Sequence, residues 1–373
     1  MRRVLYEEAC AIRARHWGDR VTYSRKVFAP LTTMCRDTCG YCSFVKRPGD
    51  PGAYYMTPEQ VLDTARRGEV AGCKEMLFSL GEKPEARYRE AADALAELGH
   101  ASTIDYLAAM CALVLDQTSL LPHVNAGTLT DDEIEALEPV SASMGMMLET
   151  VSNRLMQPGM PHHRCPDKSP KARLRTLETT GRHGIPFTTG LLIGIGESWE
   201  ERIEALAAIE AVHQRYGHIQ EVIIQNFQQK PGIAMEHHPE PSLDDMLLTL
   251  ATARLMLDPS ISLQAPPNLS ARHVAYLDAG INDWGGLSPV TIDFINPGHP
   301  WPQIDQLAKT CLEKGLLLEE RLTVYPAFLE RDAHVVDGDS PTARARRMAR
   351  ADGLARDQAL AASGTGAEVA VLC

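Results

Sequence analysis

The stretch VFAPLTTMCRDTCGYCSF, residues 27–44, joins an apolar, strand-like segment to three closely spaced cysteines. Cys35, Cys39 and Cys42 follow a C-x3-C-x2-C spacing, with an aromatic residue directly before the third cysteine. Three thiolates at this spacing can hold three irons of a [4Fe-4S] cube and leave the fourth iron open to a small molecule. The sequence therefore predicts an open-site iron–sulfur cluster in the loop after the first strand.

The remaining cysteines bear on the alternatives to such a cluster. A zinc knuckle or a closed four-iron cluster needs four protein ligands. No second group of cysteine and histidine with zinc-site spacing follows the motif. The other cysteines stand singly, at Cys10, Cys73, Cys111, Cys165, Cys311 and Cys373. An open-site cluster is favoured over zinc-bound or unligated thiols.

Composition limits the classes of protein to which this chain can belong. Its 373 residues are 44% hydrophobic, and single-domain α/β barrels reach this size. The formal net charge of −12 argues against binding to nucleic acid. The start, MRRVLYEEACAIRARHWG, is charged throughout and predicts neither a secretory signal nor a membrane span. Nine cysteines, an odd number, fit a reducing compartment, so we expect a cytoplasmic protein.

Helix-start signals and apolar runs alternate along most of the chain. Thr57, Thr130 and Ser198 each open a capping box, with Gln or Glu three residues later. The predicted strands, each expected to precede a helix, are residues 27–34, 75–80, 121–126, 142–149, 185–194, 219–227, 261–266 and 283–289. Eight β/α units predict an α/β fold, namely a parallel (β/α) TIM-type barrel that is complete or nearly complete.

The segments outside these units predict the domain organisation. Residues 1–22 are expected to form an N-terminal helix, at about 2–17, that covers the bottom of the barrel. Residues 23–330 would form the barrel. From 331 to 373 the chain becomes rich in Ala and Arg, which predicts a C-terminal extension with a surface helix and a mobile tail.

The cysteine motif and its position resemble the radical S-adenosylmethionine (SAM) superfamily. In that superfamily the open iron of the cluster binds the amino and carboxylate groups of SAM, and reductive cleavage of SAM yields a 5'-deoxyadenosyl radical. The resemblance implies that Tyr41 lies beside the cluster, near the adenine. The same residue is also compatible with simple packing of the loop.

Two further segments at predicted strand ends, where a barrel of this kind places its active site, resemble SAM-binding parts of the superfamily. Gly81 and Glu82 resemble its Gly-Gly-Glu segment, although Leu80 stands where the first glycine is expected, and an ordinary turn is the alternative. Glu149 ends a wholly apolar stretch and suits the two ribose hydroxyls, because burying a carboxylate without partners would be costly. A solvated loop glutamate is the alternative at that position.

Two more segments extend the predicted SAM site. Arg173 lies in an R-L-x-T-L setting that resembles the biotin synthase branch, where the matching arginine pairs with the SAM carboxylate; Arg154 and Arg175 compete for this role. The run GLLIGIGE resembles the superfamily segment that lies beside the adenine of SAM, which makes Gly194 and Ile195 candidate SAM-binding residues. A Rossmann phosphate loop is excluded there, because the run does not fit G-x-G-x-x-G.

Up to about residue 330 the resemblance becomes specific to the CofG-type family of 7,8-didemethyl-8-hydroxy-5-deazariboflavin (FO) synthases. The motifs that carry it include PHVNAGTLT, IQNFQQKPGIAM, QAPPNLS and DWGGLSPVTIDFINP. The resemblance implies that the chain is a radical SAM lyase and cyclase of coenzyme F(420) biosynthesis. Such an enzyme converts 5-amino-5-(4-hydroxybenzyl)-6-(D-ribitylimino)-5,6-dihydrouracil to FO and releases ammonia. A CofH-type partner enzyme would supply that adduct, by docking or by diffusion, and an external reductant such as flavodoxin or ferredoxin would supply the electron.

A ribityl chain and a uracil edge need neutral donors and acceptors, which strand-end amides provide. Asn125, Asn268, and either Gln225 or Asn226 are the candidate substrate residues. His163, or its neighbour His162, is a candidate acid or base near the substrate, although adjacent histidines beside prolines are more often surface residues.

Other functions stay open on the sequence alone. Another radical SAM enzyme of the menaquinone or biotin synthase-like branch is the nearest alternative, and a non-catalytic iron–sulfur or zinc protein is a different class. SAM binding separates the last from the enzymes, and the identity of the product separates the enzymes from one another.

Overall fold

The computed structural model describes residues 2–331 and 340–356, and these contain a closed parallel barrel. Its strands are β1 (Arg20–Pro30), β2 (Glu75–Ser79), β3 (Leu121–Asn125), β4 (Ser143–Gly145), β5 (Phe187–Ile193), β6 (Ile219–Asn226), β7 (Ser262–Gln264) and β8 (Asp283–Leu287). Each strand pairs in parallel with the next, and β1 pairs with both β2 and β8, which closes the barrel. The predicted TIM-type fold is confirmed.

All eight predicted strands are present; six match the expected bounds to within two residues at each end, and β1 and β4 depart further. β1 begins at Arg20 rather than at residue 27 and ends at Pro30 rather than at 34. β4 contains only Ser143–Gly145 instead of 142–149, and β7 only Ser262–Gln264 instead of 261–266. After β4 the chain leaves the sheet for a long loop, residues 146–169, which becomes important for the active site.

A ninth strand, β9 (Leu317–Arg321), was not predicted from the sequence. It pairs with the first half of β1, from Arg20 beside Leu317 to Ser24 beside Arg321, whereas β2 pairs with the second half of β1. β1 is unusually long because β9 and β2 pair with successive halves of the same edge of this strand. β9 brings the buried side chain of Arg321 to the base of the barrel interior.

The helices are α1 (Arg2–Trp17), α2 (Pro58–Val70), α3 (Arg89–Glu97), α4 (Thr103–Gln117), α5 (Asp131–Leu137), α6 (Pro170–Arg182), α7 (Trp199–Tyr216), α8 (Leu243–Met256), α9 (Ile304–Glu313), α10 (Pro326–Arg331) and α11 (Pro341–Met348). The three predicted capping boxes are confirmed at the starts of α2, α5 and α7. The expectation of a helix after every strand is wrong after β7, where 3-10 segments lead to β8. No helix within the described ranges is long and apolar enough to cross a membrane.

The N-terminal helix lies on the outer wall of the barrel, not beneath it as expected. Arg2 at its start forms an ion pair with Asp244 at the start of α8 (2.8 Å), and the indole of Trp17 at its end donates to the carbonyl of Pro259 (3.0 Å). α1 also packs against the 3-10 segment His273–Ala279. It therefore covers the wall where an outer helix is missing after β7.

The bottom of the barrel is closed by the C-terminal elements. A buried apolar cluster joins Leu121 at the start of β3 to Tyr325, Phe328 and Ala345. α11 is therefore packed against the barrel, although the sequence predicted a surface helix. Residues 332–339 and 357–373 of the predicted extension, and with them the predicted mobile tail, lie outside the described residues.

Candidate active site

The three motif cysteines lie in the loop that follows β1, at the carboxyl end of the barrel. The sulfur of Cys35 accepts hydrogen bonds from the backbone N–H groups of Asp37 (3.4 Å) and Glu82 (3.1 Å). The N–H of Cys42 donates to the carbonyl of Cys39 at 3.1 Å, which closes a tight turn between them. All three cysteines line one cavity, so the loop presents its thiols to a common space.

Two cavities meet in the carboxyl half of the barrel. The one lined by the cysteines, which we call the cysteine cavity, has a volume of about 230 Å³. The second, which we call the barrel cavity, has a volume of about 180 Å³ and is lined by inward-facing strand residues. The residues that line both cavities are Phe44, Ser79, Asn125, Met147, Gln225, Ile295 and Asn296. Molecules bound in the two cavities would therefore border on each other.

The loop after β2 brings Gly81 and Glu82 to the cysteine cavity. The N–H of Gly81 donates to the carbonyl of Thr32 at 2.8 Å. A Cβ at this position would lie 1.9 Å from the carbonyl oxygen of Met34, so only glycine permits the approach of the two loops. The carboxylate of Glu82 is buried and accepts from the N–H and the hydroxyl of Thr128, both at 2.6 Å.

Three buried carboxylates adjoin the cysteine cavity, with oxygen atoms of Asp37, Glu82 and Asp167 within 4.8 Å of one another. Arg36 forms a bidentate ion pair with Asp167, and the guanidinium of Arg173 lies 3.6 Å from Glu82. One oxygen of Asp37 has no hydrogen-bond partner among the described residues. Burial, and then the charges of Glu82 and Asp167, raise the pKa of Asp37 to about 7. Burial and the neighbouring acids therefore disfavour the ionised form of Asp37.

Glu149 lies in the long loop after β4 and has an unusual backbone conformation. Its φ is 65°, in the left-handed region that side chains other than glycine rarely adopt. The loop is fixed to β5 on both sides of the residue, because the N–H of Glu149 donates to Gly190 (2.8 Å) and its carbonyl accepts from Leu192 (3.2 Å). Backbone strain held by such bonds is typical of functional sites.

The carboxylate of Glu149 lines the cysteine cavity and already has protein partners. One oxygen accepts from the ammonium of Lys168, and the other accepts from the hydroxyl of Tyr41 and lies 3.2 Å from His162. Burial opposes its ionisation, but the charge of Lys168, together with His162 and Arg173, holds the pKa of Glu149 well below its usual range. A ribose bound here would have to share or displace these donors, so its recognition by Glu149 stays a prediction.

Arg173 is the one arginine among the three candidates that lines the cysteine cavity. Its side chain is buried, and its Nε donates to the backbone carbonyl of Asp167 at 2.9 Å. Arg175 points outward from α6 as an exposed residue, and Arg154 pairs with Glu201 at the surface at 2.8 Å. The geometry therefore favours Arg173 over its two competitors.

Three predicted residues do not line either cavity, namely Gly194, Ile195 and His163. The N–H groups of Gly194 and Ile195 donate to the carboxylate of Glu197, at 2.8 and 2.9 Å, and Ile195 packs in an apolar cluster with Tyr41. Their predicted contact with the adenine stays untested. His162, the neighbour of His163, is the buried histidine, and its Nε2 lies 2.9 Å from the hydroxyl of Tyr41.

The four predicted substrate amides line the cavities, and all have free hydrogen-bonding capacity. Asn125 and Gln225 line both cavities, and their side chains make no hydrogen bond within the described residues. Asn226 faces the cysteine cavity and Asn268 the barrel cavity. The side-chain oxygens of both are buried without a partner among the described residues. Buried amides without partners are costly, so these atoms indicate a polar ligand.

Sequence reasoning missed two sets of residues. Asp37 and Lys168 lie in loops, where only the barrel geometry brings them beside the predicted residues. The second set faces the deeper part of the barrel cavity and comprises Lys26, Glu75, His123 and Gln264. Polar and charged residues inside otherwise apolar strands were the available signal for this set. Lys26 was not considered because the first strand was predicted to begin at residue 27.

Comparison with known proteins agrees with this geometry. Residues 29–209 match the family model of the Radical SAM superfamily. The 7,8-didemethyl-8-hydroxy-5-deazariboflavin synthase of Methanopyrus kandleri is 49% identical over 313 residues, which cover 83% of this chain and 93% of that protein. The FO synthase of Mycobacterium tuberculosis is 49% identical over 347 residues, or 90% of this chain. This chain spans only 40% of the length of that FO synthase.

Solved structures extend the comparison to the fold. The hydrogenase maturase HydG from Carboxydothermus hydrogenoformans superposes with a TM-score of 0.70 at 17% identity, over 89% of this chain and 79% of that one. Methylornithine synthase (PylB) superposes with a TM-score of 0.65 at 18% identity, over 85% of this chain and 89% of that one. Barrel, cysteine loop and relatives lead to one conclusion: the chain belongs to the radical SAM superfamily and, within it, to the family of 7,8-didemethyl-8-hydroxy-5-deazariboflavin synthases.

Proposed function

We propose that this chain is a CofG-type FO synthase, which closes the deazaflavin ring of 5-amino-5-(4-hydroxybenzyl)-6-(D-ribitylimino)-5,6-dihydrouracil. Ammonia leaves, one hydrogen atom passes to the 5'-deoxyadenosyl group, and one further proton passes to solvent while its electron passes to a one-electron acceptor, which gives the aromatic product. One observation carries the proposal. A cavity lined by three thiols shares a wall with a cavity lined by unpaired amides, so a radical source and a polar substrate can lie in contact.

The residues of the cysteine cavity fit a [4Fe-4S] cluster with SAM. Cys35, Cys39 and Cys42 would ligate three irons, and Arg173 would pair with the SAM carboxylate. The cavity and its wall contain four acids (Asp37, Glu82, Glu149 and Asp167) and four basic side chains (Arg36, Lys168, Arg173 and Lys230). Charged partners are therefore present for both the ammonium and the carboxylate of SAM. When bound, cluster and SAM supply the radical that abstracts hydrogen from the substrate.

The protein's own contribution is positioning and exclusion of water. Asn125 and Gln225 lie on the wall shared by the two cavities and would hold the uracil edge through their unpaired amides. Phe28 and Trp301 line the barrel cavity as a stacked pair, with ring centroids 5.3 Å apart. They offer a flat apolar wall for the hydroxybenzyl ring.

The number of cysteine motifs in these 373 residues bears on the source of the adduct. The sequence contains one C-x3-C-x2-C motif, and forming the adduct from tyrosine requires a further radical reaction. We therefore assign that step to a CofH-type partner enzyme. The electron that starts the cleavage of SAM would come from an external reductant such as flavodoxin or ferredoxin.

The deciding experiment supplies anaerobically reconstituted, reduced protein with SAM and the authentic adduct. We expect a fluorescent deazaflavin together with 5'-deoxyadenosine, methionine and ammonia. Tyrosine and 5-amino-6-(D-ribitylamino)uracil alone should give no product, and addition of the partner enzyme, even across a dialysis membrane, should restore it. Deazaflavin formed from tyrosine by this chain alone would contradict the division of labour. Failure with the adduct, while SAM is still cleaved, would favour another radical enzyme of the menaquinone or biotin synthase-like branch.

A further inference from the structure

The barrel cavity is layered along the strands. Ser79, Asn125 and Gln225 lie at the carboxyl ends of β2, β3 and β6 and line both cavities. Residues that precede them by two or four positions on the same strands face the same way and line the barrel cavity alone. Glu75 precedes Ser79 by four positions, which places it on the order of 13 Å deeper along the strand. His123, two positions before Asn125, and Gln264, paired with Ile223 two positions before Gln225, lie about half as deep. We call this lower part of the cavity its floor.

That floor is polar, and part of its hydrogen-bonding capacity is unused. The ammonium of Lys26 lies 3.0 Å from the carboxylate of Glu75, and both side chains line the cavity. The amide of Gln264 lines the cavity and makes no hydrogen bond within the described residues. A hydrophobic molecule at this depth would leave these groups desolvated without partners, at a cost for each.

His123 completes the floor as a neutral group. Its Nδ1 lies 2.7 Å from the hydroxyl of Ser143 and 3.1 Å from that of Thr323, so these hydroxyls fix the ring. Burial lowers the pKa of His123 to about 4, despite the opposing charge of Glu75, so the ring is uncharged at neutral pH. Its Nε2 faces Gly145, where the missing side chain leaves room beside it in the cavity.

The chemistry of the proposed reaction decides which part of the substrate lies at this floor. The bonds that form and break lie at the hydroxybenzyl group, at the uracil ring and at the two nitrogens attached to that ring, and this part of the substrate must therefore face the cysteine cavity. The polyol takes no part in the reaction and is the only portion free to extend away. We propose that the ribityl chain occupies the floor of the barrel cavity, where Lys26, Glu75, His123 and Gln264 bind its hydroxyls and select substrates that carry a polyol. This inference rests on the proposed function and deepens it.

The opposite orientation fits the floor less well. A phenol end has a single hydroxyl and cannot satisfy a lysine–glutamate pair, an imidazole and an amide together. A polyol has a hydroxyl on nearly every carbon, each of which can donate and accept. The aromatic wall of Phe28 and Trp301 provides a better environment for the phenol ring.

The test measures binding of two deazaflavins to the reconstituted protein by equilibrium dialysis. One is FO, and the other carries a methyl group in place of the ribityl chain. We expect the wild-type protein to prefer FO by at least about tenfold, the effect of one or two hydrogen bonds. Gln264→Leu should reduce this preference several-fold, and it leaves no protein group without a partner because Gln264 has none. Lys26→Met should reduce it as well, with the melting temperature checked because Glu75 loses its cation.

Gln225→Leu is the matched control, because it removes an equally unpaired amide from the wall shared by the two cavities. It should weaken the binding of both deazaflavins and leave their ratio unchanged. Equal affinity of the wild-type protein for the two compounds, or an unchanged ratio in Gln264→Leu, would overturn the polyol site but not the proposed function. Failure to bind either compound or to convert the adduct would instead overturn the proposed function itself.

Discussion

The two cavities of this barrel are built from different parts of the chain. The cysteine cavity takes most of its thiols and charged groups from loops, with Cys35, Glu82 and Lys168 each contributed after a different strand, while Arg173 comes from α6. The floor of the barrel cavity takes its residues from strand interiors, as in the case of Lys26 in β1 and Glu75 in β2. Residues on loops can be replaced with little change in the sheet, whereas those inside strands share buried partners with it. Substitutions in the cysteine cavity should therefore change function without changing stability, whereas substitutions at the floor of the barrel cavity should change both.

The largest expected effect is the loss of SAM cleavage in Cys39→Ala. The variant removes one of three proposed iron ligands, and we expect reconstituted wild-type protein to contain about four irons per chain. The denaturation midpoint of the cluster-free protein should stay unchanged, because Cys39 lies in a loop. Cys10→Ala, a cysteine substitution on α1 far from the site, is the control and should retain iron and 5'-deoxyadenosine formation. SAM cleavage by Cys39→Ala at the wild-type rate would show that the three cysteines were assigned wrongly.

The same contrast explains what the sequence could predict. The cysteine spacing, the capping boxes and the order of the eight barrel strands are local patterns, and each appears in the structure. The position of Lys168 beside Glu149, and of His162 rather than His163, depends on how the long loop after β4 folds back. No local pattern encodes that path. β9 was missed because its run, LLEER, has a partly exposed, charged appearance, and its role emerges only from pairing with β1.

A smaller but still large effect is expected on stability at the base of the barrel. Arg321 forms ion pairs with Asp283 (2.7 Å) and Glu221 (2.9 Å), and all three side chains are buried. Arg321→Met leaves two buried carboxylates without their cation, which should lower the free energy of unfolding by about 3–5 kcal/mol. Denaturant unfolding of the cluster-free protein measures this change.

An arginine on the outside of the barrel provides the matched control for that variant. Arg182 pairs with Asp131 at 3.0 Å on an exposed surface, and Arg182→Met should leave the free energy of unfolding nearly unchanged. Equal stability of Arg321→Met and Arg182→Met would remove the structural role that we assign to β9. The expectation that residues inside strands support both the floor of the barrel cavity and the stability of the protein would then be wrong.

The smallest of these effects, and the one that most sharpens the comparison, is expected for Glu149→Gln. The substitution keeps the shape of the side chain but removes the charge that Lys168, Tyr41 and His162 surround. If SAM uses this carboxylate, loss of charge-assisted hydrogen bonds costs about 1.5–3 kcal/mol. The affinity for SAM, measured by equilibrium dialysis at equal iron content, should fall at least about tenfold.

Two controls connect that result to the lower cavity. Glu135→Gln, an exposed carboxylate on α5, should leave the affinity for SAM unchanged. In Glu149→Gln itself the preference for FO over its methyl analogue should persist, because the polyol floor lies roughly 7–13 Å along the strands below the rim of the barrel cavity. An unchanged affinity for SAM would return Glu149 to the role of a loop carboxylate paired with Lys168. A simultaneous loss of the FO preference would mean that the two cavities are energetically coupled, since a loop residue would then control recognition at the strand-built floor.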